Sequence, residues 1–390
     1  MVTSAARACP FLDVAENVLP QWGIEMSRLQ RPEKVRYPLI ECAGSARELG
    51  RQHGEQAGLR IRAFLGFLCE TLQLDDRDVE RRARRFRPLF EKYCSHLIPE
   101  IVGLAEGAGI SFEFALAAQL RGELGQLSDG ACTTFVISPR GTLHGKTLIG
   151  QTSDMPAEMR SFGYVLHLKP SDRPELMMWT FGGQLGYHGL NQFGVAHFAN
   201  ALGGGPKWKF APSHYPLKRL LLEQSSLTGV RRLMSDFPVC SNGNYVMSDG
   251  SGGILDVELT SDGPHFLEDD GSGFIAHSNH YLCSAYACEN NFNVSLPDSF
   301  PRLKRMRALI AAEFGSLTVE TMQRILSDHD GHPVSICRHP HDGPSDPVLP
   351  NTGHTVAAII AEPQSGRFQI ASGNPCETPF IEFQLETFPK

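Results

Sequence analysis

The chain has 390 residues, 41% of them apolar and 20% charged, a composition that folds rather than staying disordered. Its formal charge of −7 excludes a dedicated nucleic-acid binder, which needs a basic excess. No apolar run approaches the ~18 residues of a membrane span and no basic segment leads into an apolar stretch near Met1, so the expectation is a cytoplasmic protein with neither a membrane nor a nucleic-acid partner.

The first ~40 residues read as irregular, because Pro10, Pro20, Pro32 and Pro38 interrupt any helix. From Ser45 to about Glu123 the pattern is helical. Val79, Ala83, Phe86, Phe90 and Tyr93 recur at steps of three and four, which predicts an amphipathic helix over Asp76–His96. Its arginines at 81, 82, 84, 85 and 87 read as a solvated face paired with nearby acids. Glu100–Gly109 and Phe112–Leu124 read as two shorter helices. At Cys132 the character changes to short apolar runs punctuated by Gly and Pro. Strands are predicted at 133–137, 148–152, 163–168, 177–181 and 194–198, then helices at 217–224 and 228–236. Strands follow at 245–248, 254–259 and 273–276, helices at 299–314 and 318–326, and strands at 355–361, 368–371 and 380–385. This order suits an α+β fold of stacked sheets covered by helix layers. No internal repeat or low-complexity linker divides the chain.

Ten cysteines are scattered along the sequence without a Cys-x-x-Cys pair, so neither a zinc ribbon nor a thioredoxin motif is expected. Gly141-Thr-Leu-His-Gly145-Lys146-Thr147 has three residues between its glycines, one short of a phosphate loop, and reads as a hairpin. His329, His332, His339, His341 and His354 crowd one region, but Pro333, Pro340 and Pro344 put them in loops. A polar loop near a site is expected there, with no metal and no cofactor. The informative segment is Ser128-Asp129-Gly130-Ala131-Cys132-Thr133-Thr134. A cysteine opens the first strand after a loop of small residues, which leave the preceding carbonyl accessible. Gly150-Gln-Thr-Ser-Asp154 follows as a strand ending in a carboxylate.

These pieces belong to a longer series. Gly44-Ser-Ala-Arg-Glu48-Leu-Gly50 with Gly54, Gly103-Leu-Ala-Glu106-Gly107-Ala-Gly109, and Arg121-Gly-Glu123 precede the cysteine. After it come Gly189-Leu-Asn191-Gln-Phe-Gly194 with Asn200, His277-Ser-Asn279-His280-Tyr, Asp328-His329, Ser335-Ile-Cys337-Arg338 and Gly373-Asn-Pro-Cys376. In this order, over about residues 44–379, the chain resembles the isopenicillin-N acyltransferase family of N-terminal-nucleophile hydrolases.

The resemblance implies a four-layer αββα sandwich. It implies a precursor that cuts itself between Ala131 and Cys132. The parts would be an arm (1–43), a helical segment (44–131) and a core (132–390), forming one domain in which the two cleavage fragments stay associated. Cys132 would be the nucleophile, its freed α-amine serving as base. Asn279 would stabilise an oxyanion, Asp154 would orient the amine, and Arg338 would pair with Asp154 or the thiol. Asn191, Asn200 and His280 are possible lining residues. The implied activity is hydrolysis of a small N-acyl amide through an acyl-thioenzyme. The alternatives are acyl transfer from acyl-coenzyme A to an amine and, in a different class, an uncleaved protein that only binds ligand. Gln119, Ala131 and Thr152-Ser153 depart from the family's usual Asn, Gly and Asn plus large apolar residue, so the penicillin reaction is not carried over.

Overall fold

The structure is a computed structural model that describes residue 29 and residues 36–125, 130–289, 298–343, 351 and 353–385. Apart from residue 29, the first 35 residues of the expected arm lie outside the described residues. Its last part is not irregular. Strand β1 (Leu39–Gly44) begins directly after Pro38, where a missing N–H costs no ladder bond.

Helices Ala46–Leu72, Asp76–Tyr93, Ile98–Ala108, Phe112–Ala117 and Arg121–Gly125 follow. Ser45 caps the first of them, and Glu48 Oε2 accepts from the Ser45 N–H at 2.8 Å, one half of a capping box. The predicted helix over Phe112–Leu124 is two helices. Gln119 sits in the break, donating to the carbonyls of Ala115 and Gly183 and accepting from Leu185 N–H.

Strands β2 (Ala131–Ile137), β3 (Leu148–Met155), β4 (Gly163–Pro170), β5 (Leu176–Phe181), β6 (His188–Asn191) and β7 (Ala196–Ala201) come next. After helices His214–Leu221 and Leu227–Asp236 come β8 (Gly243–Ser248), β9 (Ile254–Thr260), β10 (Gly263–Leu267) and β11 (Phe274–His277). Helices Ser299–Ala312 and Val319–Leu326 precede β12 (His354–Glu362), β13 (Arg367–Ala371) and β14 (Phe380–Gln384). The sequence pattern missed β1, β6 and β10. β6 is only four residues long, and β10 is half-exposed throughout, so neither offers a distinct apolar run.

The strands form two sheets, β1-β4-β5-β6-β7-β8-β9-β10 and β11-β2-β3-β12-β13-β14. β2 and β3 pack face to face against β7, and β11 against β8 and β9. The Ala46–Leu72 helix covers β1, β4 and β5, while Ser299–Ala312 lies on β11 and β2 and Val319–Leu326 on β12 and β3. The order helix, sheet, sheet, helix is the expected αββα sandwich. Sandwiching explains why β2, β3, β5, β6 and β8 are buried along their whole lengths, and why β2 and β5 read as apolar runs rather than alternating ones. A second apolar core, with Phe135, Leu303, Met306, Ile310, Met322 and Ile325, fixes the last two helices to the six-stranded sheet.

The glycines of the N-terminal motifs have a packing reason. A Cβ at Gly50 would lie 1.9 Å from Glu100 O, and one at Gly103 would lie 2.0 Å from Arg47 O. Gly54 and Gly107 are similarly tight, so Ala46–Leu72 and Ile98–Ala108 cross backbone to backbone. β2 and β3 pair antiparallel, so the Gly141–Thr147 segment joins a hairpin, as its spacing suggested. Among the described residues no helix is long and apolar enough to cross a membrane.

Candidate active site

Strand register assembles the site. β2 pairs with β3 so that Ala131 faces Asp154 and Cys132 faces Ser153. On the other side β11 pairs with β2, His277 opposite Thr134. Continuing that register by two residues brings Asn279, just past the strand end, opposite Cys132. β12 then sets Thr355 beside Asp154. Residues far apart in sequence thus form one row across the six-stranded sheet.

Asn279 Oδ1 accepts from the Cys132 backbone N–H at 3.2 Å, and its Nδ2 donates to Ala201 O at 3.1 Å. Its own N–H is held by Ser299 Oγ. Nothing in the sequence singled out Arg302, which ties this row together from the first turn of the Ser299–Ala312 helix. Its Nη1 donates to Cys132 O at 2.7 Å and to Thr133 Oγ1 at 2.7 Å, and its Nη2 donates to Asn279 Oδ1 at 2.8 Å. Its Nε donates to Asp298 at 3.2 Å. Arg338 Nη1 donates to the same carboxylate at 2.5 Å, so Asp298 lies between two buried guanidiniums. A charge pair with good geometry tolerates such burial, whereas losing one partner typically costs about 3–5 kcal/mol. The one local hint of Arg302 is its four-residue spacing from Asp298, which is common on solvent-facing helices.

Asp154 is fully buried. Oδ1 accepts from Thr355 Oγ1 at 2.7 Å, and Oδ2 has no hydrogen-bond partner among the described residues. Burial pushes its pKa from 3.8 up to about 6, against the opposing pull of Arg302, Thr355 and Arg338. Arg338 therefore acts on Asp154 through its charge while bonding to Asp298.

Cys132 is 3% exposed and opens onto a cavity of 340 Å³. Tyr187, Trp208, Tyr215 and Tyr245 give it an aromatic wall with Leu202 beside them, and Glu123, Lys218 and Asn242 give it polar points. Lys218 Nζ sits 4.3 Å from the Tyr187 ring centre and 5.1 Å from that of Tyr215. Burial first, and the Lys218 charge second, keep His188 and His197 neutral. Apart from Glu123, none of these residues stood out in the sequence, since their side chains converge only through the fold.

The three possible lining residues are placed differently. Asn200 lines the cavity and bridges the sheets, donating to Thr134 Oγ1 and Asn244 Oδ1, both at 2.8 Å. Asn191 instead braces the turn after β6. Its amide donates to the carbonyls of Leu222 and Gln224, and its oxygen accepts from the N–H groups of Phe193 and Val195. His280 stacks on Phe300 at 3.8 Å and bonds through Nδ1 to Ser299 Oγ at 2.7 Å, behind Asn279. Burial lowers its pKa to about 4, so it is neutral at physiological pH. Arg121 lies 5.4 Å from the Phe181 ring centre, and Glu123 accepts from the Cys240 thiol.

The arginine-rich helix differs in part from its solvated reading. Arg81, Arg84 and Arg87 pair with Asp78, Glu113 and Glu91. Arg82 and Arg85 also line a groove of 540 Å³ with Phe86, Trp208 and Phe210. Glu123 and Trp208 border both this groove and the Cys132 cavity.

Comparison with known proteins supplies a family. The family model described as acyl-coenzyme A:6-aminopenicillanic acid acyl-transferase matches residues 142–377, starting just after the strand that carries Cys132. The acyl-coenzyme A:6-aminopenicillanic-acid-acyltransferase 40 kDa form of Emericella nidulans is 25% identical over 356 residues, 88% of this chain and 96% of that protein. Among solved structures, a mutant of conjugated bile acid hydrolase from Clostridium perfringens is 12% identical. The likeness covers 66% of this chain and 98% of that one, with a TM-score of 0.42. Penicillin V acylase from Agrobacterium tumefaciens is 13% identical, covering 65% and 86%, with a TM-score of 0.40. The match over more than half its length shows that this chain belongs to the acyl-coenzyme A:6-aminopenicillanic acid acyl-transferase family of enzymes.

Proposed function

We propose that the chain is a self-processing cysteine amidohydrolase. In the uncut chain the Cys132 thiol attacks the Ala131 carbonyl carbon. The C–N bond breaks, the nitrogen becomes the α-amine of Cys132, and the acyl group passes to sulfur. Water then cleaves that thioester, leaving fragments 1–131 and 132–390. The free amine, with an ordinary pKa of about 7.7–8.0, then acts as base for its own thiol. The thiolate attacks a substrate amide, the amine product leaves, and water releases the acyl group.

The observation that supports this reading best is the surroundings of Cys132. Its N–H is already held by Asn279 Oδ1, where the amine would appear, and the residue lines a cavity large enough for a small acyl chain. Asn279 Nδ2 donates to the O of cavity-lining Ala201, and this amide is the donor assigned here to an oxyanion. The β1–β4 pairing across the cut explains how the fragments would stay together.

Acyl transfer from acyl-coenzyme A is the second reading. The groove with Arg81, Arg82 and Arg85 supports it, since it offers cations and aromatic faces beside the cavity. A purely ligand-binding protein needs no such ordered nucleophile. The test is the denaturing intact mass of fresh protein, followed by an N-acyl amide screen with and without acyl-coenzyme A. Two fragments, the larger starting at Cys132, and amide hydrolysis are expected. A chain that stays intact on prolonged incubation sinks the mechanism. Acyl-coenzyme A consumed faster with an amine present replaces hydrolysis by transfer.

A further inference from the structure

A second cluster lies one residue from Arg338. His329 Nε2, Cys337 Sγ, His339 Nε2 and Cys376 Sγ all lie within 4.8 Å of one another. The two imidazole nitrogens are 3.0 Å apart and the two sulfurs 3.7 Å. His339 Nε2 lies 3.6 Å from Cys337 Sγ and 3.2 Å from Cys376 Sγ. A tetrahedral zinc with Zn–S of about 2.3 Å and Zn–N of about 2.0–2.1 Å has edges of about 3.8 Å for S···S, about 3.3 Å for N···N and about 3.5 Å for N···S. The four edges measured above are close to those values before any ion is considered, and the two from His329 Nε2 to the sulfurs lie within 4.8 Å.

Its surroundings also fit a metal. Glu377 places a carboxylate oxygen 3.8 Å from His339 Nδ1, the atom facing away from the cluster. Asn374 Nδ2 approaches Cys337 Sγ at 3.5 Å. A carboxylate behind a histidine ligand and an amide donor on a thiolate are the usual outer partners of such a site. The ligands come from three places in the chain, residue 329, residues 337 and 339, and residue 376, so the sequence shows no regular spacing.

We propose that His329, Cys337, His339 and Cys376 bind one zinc ion in a closed, structural site. Four protein ligands leave no position for water or substrate, so the ion fastens loops and performs no chemistry. It fastens Arg338, which stands between two of the ligands. The Arg338 backbone N–H donates to Thr355 Oγ1 at 2.9 Å, and its carbonyl accepts from Thr355 N–H and Asn374 Nδ2. Thr355 Oγ1 in turn donates to Asp154, and Arg338 Nη1 donates to Asp298. The ion would thus hold in place an arginine and a threonine that both act on the Asp154 carboxyl.

The test is elemental analysis of full-length protein made with zinc supplementation and purified without chelator. About one zinc per chain is expected, and Cys337→Ser and Cys376→Ser lose it while Cys288→Ser keeps it. Should the ligand variants fail to fold, Glu377→Gln loosens the metal about tenfold or more without removing a ligand. Cobalt exchanged into the unmodified protein should also show the visible bands of a tetrahedral thiolate site. Less than stoichiometric zinc with all thiols reduced overturns the proposal, as does unchanged zinc in Cys337→Ser. A Cys337–Cys376 disulfide, seen as a mass two hydrogens short in the non-reduced protein, overturns it too. Metal content is read whether or not the chain cleaves itself, so this result stands apart from that of the proposed activity.

Discussion

Asp154→Asn should make the uncut protein more stable at neutral pH and leave it unchanged at acid pH. The comparison belongs in a Cys132→Ala background, so that neither chain can cleave. Burial raises the Asp154 pKa from 3.8 to about 6, so the folded state holds its proton more tightly than the unfolded state does. Below about pH 3.8 both states are protonated and the carboxyl behaves much like the amide. Between there and about pH 6 the unfolded chain ionises first, and stability falls by about 1.4 kcal/mol for each pH unit. Above pH 6 the loss levels off at about 3 kcal/mol. Asparagine cannot ionise, and its oxygen still accepts from Thr355, so the variant avoids that loss. Urea unfolding of both proteins at several pH values between 4 and 8 measures the difference. The expected gap opens as pH rises to 6 and is flat beyond it. A gap independent of pH, or an asparagine variant that is the less stable at pH 8, would mean that Arg302 and Arg338 keep the carboxylate ionised, and the reasoning would be wrong.

Other outcomes follow from the same contacts. Cys132→Ala should abolish both cleavage and turnover, whereas Cys132→Ser should cleave slowly, as intact mass over time would show. Arg302→Lys keeps a charge but not the fork that reaches Cys132 O, Thr133, Asn279 and Asp298, and cleavage should slow by about 10²-fold. A cleavage rate within about twofold of the parent would remove Arg302 from the site. Gly103→Ala would put a Cβ 2.0 Å from Arg47 O, and forcing the two helices apart should lower stability by at least about 1–3 kcal/mol in urea unfolding. The cleaved fragments should co-elute on a native sizing column and separate in denaturant, because β1 of the small fragment is hydrogen-bonded along β4 of the large one.

The parts of the fold legible in sequence were those with their own pattern. The Asp76–Tyr93 helix showed its buried Val79, Ala83, Phe86 and Phe90 at helical spacing, and buried β2 and β5 showed as apolar runs. What sequence could not show was anything set by register or by convergence. Asn279 and Asp154 reach Cys132 because β11 and β3 flank β2, and the resemblance named them before any geometry did. Arg302 lies 170 residues from Cys132 and sits in an ordinary amphipathic helix, where an Asp-x-x-x-Arg pair carries no signal. For the same reason the two histidines of the cluster around Cys337 read in sequence only as part of a polar loop. Its prolines suggested looseness, whereas its fourth member, Cys376, comes from beyond two further strands.

If the chain cuts itself as proposed, the row across β11, β2, β3 and β12 would have its electrostatics changed by the cut. In the uncut chain the buried row beside Cys132 carries Arg302, Arg338 and Asp298, with Asp154 titrating at about 6. While Asp154 is protonated the group carries one net positive charge, which favours a thiolate or an oxyanion beside it. Cutting Ala131–Cys132 converts an uncharged peptide nitrogen into an amine beside Ala131's strand partner, Asp154. Whenever that amine is protonated, the new cation lowers the Asp154 pKa. Self-cleavage should therefore lose this help as pH rises through about 6, an inflection measured with the slow Cys132→Ser chain. Turnover by the mature enzyme should show its acid limb at lower pH. Inflections of the two reactions at the same pH would show that the new amine and Asp154 do not sense each other, and would remove Asp154 from the role of orienting it.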